Sequence, residues 1–148
     1  MKFPILFLMF FGFYCSHFQP YHTEWTLSKN QEVFLAAVNA KASEKAIAQD
    51  SFAMKRSTCV DASKLLSTSA RFSRYLVESE KTSLTESELQ SLTKIISSYN
   101  ITPVLEECQS IPTESLFGSS EWESCQCLFS VTYPGGRKKF KEDLEQIR

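Results

Sequence analysis

Apolar residues run almost unbroken from Phe3 to Tyr14, behind Met1-Lys2, and the chain then turns polar. One positive charge, a short greasy stretch and a polar exit describe a secretory signal peptide over residues 1–16. The stretch falls short of the roughly 20 apolar residues that a membrane helix needs. The mature chain is expected to begin near His17 and to form a single secreted α-rich domain over residues 17–148. Ser28 and Gln31 have the spacing of a capping box, and Phe34, Leu35, Val38, Ala42 and Ala46 follow at near-helical intervals. Alanines between them favour a helix to about residue 50. Thr58 and Asp61 suit the start of a second helix, with Ala62, Leu65, Leu66, Ser69, Phe72 and Leu76 on one face. It gives out in Glu78 to Ser83.

Thr85 and Glu88 form a capping box, with Leu84 and Leu89 placed as its hydrophobic staple. Leu89, Leu92, Ile95, Ile96 and Tyr99 then make an apolar stripe, which predicts a third helix. Thr102-Pro103 opens a short fourth helix lined by Val104, Cys108 and Ile111 and ended by Pro112. A polar loop over 112–121 follows. The period then changes. Cys125, Cys127, Phe129, Val131 and Tyr133 alternate with Ser124, Gln126, Ser130 and Thr132, which predicts a half-buried strand with Leu128 as its exception. Its partner is either the arm before Ser28 or the loop before Trp122. Pro134-Gly135-Gly136 breaks it, and Phe140, Leu144 and Ile147 mark a final helix. The expected fold is mainly α: a small disulfide-bonded helical bundle with one short extended β segment near residues 123–133.

Five cysteines are an odd number for an exported chain, and removal of Cys15 with the signal leaves four. An oxidising compartment then predicts two disulfides. Cys125 and Cys127 are too close to bridge each other in an extended segment, so Cys59 and Cys108 each bond one of them, in either order. No zinc-type spacing is present, and the histidines, His17 and His22, sit beside the signal; neither a metal nor a cofactor is expected. The chain carries 16 basic and 17 acidic residues; loss of Lys2 takes the net charge from −1 to −2. That balance gives no footprint for nucleic acid or for an anionic membrane.

Catalytic chemistry is poorly supplied. A triad lacks a histidine base outside the leader arm, the cysteines are committed, and four glycines form no phosphate loop. The many glutamates read as helix caps and solvated surface, so no enzyme is expected. Asn100-Ile101-Thr102 is a glycosylation sequon, or else an unmodified helix end, with Pro103 beyond it disfavouring use. Arg137, Lys138, Lys139 and Lys141 place positive charge at a helix start, against its dipole. They read as a solvated face or as a contact for an acidic partner. Phe117 and Trp122, in or beside the polar loop, are candidate interface anchors.

Four helical segments, an extended segment before the last helix and disulfides joining helix ends to it form a recognisable layout. Ser57-Thr58-Cys59-Val60 and Leu92-Thr93-Lys94-Ile95-Ile96-Ser97-Ser98-Tyr99 resemble stretches of the short-chain four-helix-bundle cytokines. The resemblance implies an extracellular ligand for a cell-surface protein and transfers no contact residue. The Cys125-Gln126-Cys127 pair and the short last helix depart from the family pattern. The expected function is therefore a secreted, non-enzymatic protein that binds an extracellular protein, as a cytokine-like ligand or an effector or toxin-like factor. The alternative is an extracellular carrier of an apolar small molecule or lipid, enclosed by the helices.

Overall fold

A computed structural model describes residues 18–112 and 121–148. The signal-peptide reading of residues 1–16 and the candidate anchor Phe117 lie outside them. The first described strands are β1 (Glu24–Ser28) and β2 (Gln31–Lys41), joined as a hairpin in which Ser28 faces Gln31. The two turn residues, Lys29 and Asn30, have φ of 50° and 66°. Both central residues at positive φ make the turn whose twist suits a two-residue hairpin, and asparagine tolerates that conformation better than most residues. Ser28 and Gln31 thus close a hairpin and cap no helix.

Four short helices follow: α1 (Glu44–Ala48), α2 (Phe52–Leu66), α3 (Ser69–Ser79) and α4 (Glu86–Ser98). Ser51 caps α2 by accepting from the Met54 N–H. Thr58 therefore sits inside this helix, donating to the Met54 carbonyl at 2.8 Å. The predicted second helix is two helices, broken at Ser67 and Thr68. Thr85 and Glu88 cap α4 reciprocally, as their spacing predicts, and Leu84 and Leu89 pack on the core beside them.

Next come β3 (Val104–Ser110), β4 (Ser124–Val131) and α5 (Gly136–Gln146). The four described strands form one antiparallel sheet in the order β1-β2-β4-β3. The molecule is accordingly α+β, which corrects the mainly α expectation. Residues 31–41 and 104–110 are strands, not helices, and they are the two partners of β4. The physical reason is the company each face keeps. Phe34, Ala36, Val38 and Ala40 are all buried, at spacing two, while Asn39 and Lys41 are exposed.

All five described helices belong to one side of the sheet. Helix α2 packs on β2 and β4, α3 on β2 and α4, and α5 on β2 and α4. Small residues on β2, Ala36 and Ala40, let the helical layer approach closely. Rings fill the space between the layers. Tyr75, Phe72, Phe34, Trp25, Phe140, Tyr133 and Tyr99 form a continuous chain, each ring centroid 5.3 to 6.2 Å from the next. The other end of β4 is bonded covalently. Cys125 joins Cys59 of α2, and Cys127 joins Cys108, its cross-strand neighbour on β3. Each of Cys59 and Cys108 thus bonds one member of the pair, as the sequence predicts.

Candidate functional site: the uncovered face of the sheet

Alternation puts a second set of side chains on the face away from the helices. Val33, Leu35 and Ala37 of β2 point there, as do Gln126, Leu128 and Ser130 of β4. The register sets Ala37 opposite Leu128, Leu128 opposite Glu107, and Gln126 opposite Gln109. Val33, Leu35, Ala37 and Leu128 are each only half-buried. They form an apolar stripe along the middle of the sheet, with amide, hydroxyl and carboxylate groups on either side. A bulge between Leu105 and Glu107 inserts Glu106 into β3, and its carboxylate accepts from the Ser130 hydroxyl.

Part of this face is already occupied by the chain itself. Residues 19–22 lie against β4 and β3, beside Leu35, Gln109 and Leu128. The Gln109 side-chain amide donates to the Gln19 carbonyl at 2.7 Å, and the Tyr21 backbone N–H donates to the Gln126 side-chain oxygen at 2.6 Å. Under this arm Gln126 becomes buried, although it lies on the outer face. Burial, followed by the neighbouring Glu107 carboxylate, raises the Tyr21 phenol above its ordinary value. Beside the arm the described residues leave a groove of about 540 Å³ along the stripe, bounded by Thr26, Lys29, Val33, Leu35, Glu106 and Leu128. Leu35 and Leu128 border the arm's groove as well, so the two form one trough.

The residues singled out from sequence lie elsewhere. Arg137 grips Glu80 through two hydrogen bonds of 2.6 and 3.1 Å, and Lys141 lies 3.5 Å from the same carboxylate. The Arg137 hydrogen bond, helped by the charges of Arg137 and Lys141, holds Glu80 below the usual carboxylate range against the opposing effect of burial. Lys139 pairs with Asp143 at 2.5 Å. Asp143 is buried and also accepts from Tyr133 at 2.7 Å and Tyr99 at 3.1 Å. Burial alone would raise its pKa; the hydrogen bonds from Lys139, Tyr133 and Tyr99 outweigh it and hold the carboxyl ionised. Two of the four tail cations, Arg137 and Lys141, therefore fasten α5 to Glu80 at the end of α3, while Lys139 bonds Asp143 within α5 itself. Lys138 is exposed and makes no ion pair among the described residues.

Trp122 is half-buried against the core, with the Arg56 guanidinium 5.2 Å from its ring centre and its backbone N–H bonded to the Ser110 hydroxyl. Asn100 is exposed directly after α4, far in sequence from the tail cations. Cys59, Cys108, Cys125 and Cys127 all sit on the helix side of the sheet, in its two crosslinks. The outer-face residues Leu35, Gln109 and Gln126 are not among the candidate site residues read from the sequence. The available signal was Leu128, the apolar residue that breaks the alternation of β4 and points outward. Among the described residues no three of His, Cys, Asp and Glu converge as a metal site, and no helix is long and apolar enough to cross a membrane. Compared with family models, with curated proteins and with solved structures, the chain matches none.

Proposed function

We propose that this is an exported, non-enzymatic protein that binds an extended segment of an extracellular protein along the uncovered face of its sheet. One observation carries the reading: the face already holds a stretch of the chain's own backbone, at Gln19 and Tyr21, through the side-chain amides of Gln109 and Gln126. The adjoining trough offers the same elements, an apolar floor and polar walls, with nothing from the described chain lying in it. Such surfaces take peptides by combining apolar contact with hydrogen bonds to the backbone. Two disulfides fit an oxidising compartment. The ligand or effector role implied by the cytokine resemblance belongs to this reading as well.

A binding role also suits the ionisable groups. The buried Asp143 and the half-buried Glu80 are held ionised by their cation partners and hydrogen bonds, whereas a catalytic acid needs its pKa raised towards neutrality. His22 lies exposed on the arm. The carrier alternative requires room between the layers, which the seven-ring chain occupies.

The test uses labelled, disulfide-intact protein on intact cells. Saturable binding is expected, displaced by unlabelled protein, weakened at least about tenfold by Leu128→Lys (roughly 1.4 kcal/mol) and unchanged by Lys138→Glu. Absence of saturable binding, or equal binding by Leu128→Lys, overturns the reading.

A further inference from the structure

We propose that Asn100 is a glycosylation site whose glycan shields the open edge of the sheet beginning at Val104. The inference rests on export, since the modifying machinery lies in the secretory compartment. Asn100-Ile101-Thr102 is the one sequon in the sequence. The fold presents it in a usable form. Asn100 has φ of 52° directly after α4, and its backbone N–H is satisfied by the Ser97 carbonyl at 3.1 Å. Among the described residues its side-chain amide has no hydrogen-bond partner, so nothing native is lost when it is substituted.

The three residues divide the work. Ile101 turns inward and packs against the core, while Asn100 and Thr102 are both exposed. The attachment nitrogen and the hydroxyl that identifies the sequon therefore stay outside the fold on either side of an anchored residue. In the reaction, the Asn100 side-chain nitrogen bonds to C1 of a lipid-pyrophosphate-linked oligosaccharide. The C1–O bond breaks, the lipid pyrophosphate leaves, and the amide proton passes to a base of the transferase.

Position gives the glycan its purpose. Among the described strands β3 lies at an edge, and Val104 at its start is 57% exposed. Such an edge offers unpaired backbone groups to other chains. Asn100 lies four residues before Val104, a chain reach of at most about 14 Å.

The full chain is expressed in cultured eukaryotic cells, and the secreted product is mapped by mass spectrometry before and after peptide N-glycosidase treatment. The expected result is a glycopeptide at Asn100, converted to Asp by the enzyme and missing from Thr102→Ala, which leaves the Asn100 turn intact. Thr102→Ser is expected to retain it, and Thr102→Ala to secrete with more self-association in light scattering. Secreted, disulfide-bonded protein with unmodified Asn100 overturns this inference and leaves export standing. Retention in the cytosol overturns both. Equal self-association overturns the shielding role alone.

Discussion

Phe34 and Leu35 are neighbours on one strand and live in different surroundings. Phe34 is fully buried, touching the rings of Trp25 and Phe72 under the helices. Leu35 lies half-exposed on the other face, in a trough shared with the chain's own arm. The covered face is closed by a ring chain, two disulfides and ion pairs; the uncovered face is bridged by a few amide hydrogen bonds. Stability is concentrated on the first, and substitutions on the second should have little effect on the fold.

The sharpest way to break this contrast is to substitute across it. Phe34→Ala should destabilise by about 3–5 kcal/mol in urea unfolding, through lost transfer energy and an unfilled cavity. Similar losses for Leu35→Thr would erase the distinction. Removing the α2–β4 crosslink as Cys59→Ala with Cys125→Ala should cost about 4 kcal/mol, and removing the β3–β4 crosslink about 3, from loop-closure entropy. The order follows sequence separations of 66 and 19 residues, and thermal unfolding of the two double variants should preserve it. Asp143→Ala leaves Lys139 and two tyrosine hydroxyls without their shared acceptor, and about 3 kcal/mol should be lost.

Acid should weaken the covered side first. Glu80 and Asp143 are held below their ordinary values of 4.5 and 3.8, so the folded chain binds fewer protons than the unfolded one. Their stabilisation is complete above those values and fades as pH falls below them. Denaturation midpoints should drop on the acid side, and Glu80→Gln with Asp143→Asn should flatten that limb. The smallest effect belongs to the uncovered face: Leu128→Thr should change stability by no more than about 0.5 kcal/mol while weakening partner binding.

Local chemistry made some of this architecture readable. The Thr85–Glu88 box marks a real helix start, because both halves of a cap lie within four residues. The alternation of Cys125 to Tyr133 marks a real strand. Where the reading failed, spacing was ambiguous. Phe34, Val38 and Ala42 recur every four residues, an interval that returns to the same face of a helix and of a strand alike. The intermediate positions decide the matter: Ala36 and Ala40 are buried, which only period two explains. Alanine carries little strand preference of its own, so tertiary packing set the outcome. The tail cations were visible as a cluster, but Glu80 lies 57 residues from Arg137 and no local pattern announces that pairing. The outer-face trough was hidden for the same reason, since its walls come from four strands spread between residues 26 and 130.

Both crosslinks end on β4, and that imposes an order on biosynthesis. Cys59 and Cys108 leave the ribosome well before Cys125 and Cys127, so for most of translation neither has its proper mate. Of the four crosslinked cysteines these two emerge first, and a bond between them would block both native pairings. Correct maturation therefore waits for the last quarter of the polypeptide. A nascent chain truncated before Cys125 would depend on isomerase editing or a reducing chaperone to keep its sulfurs free.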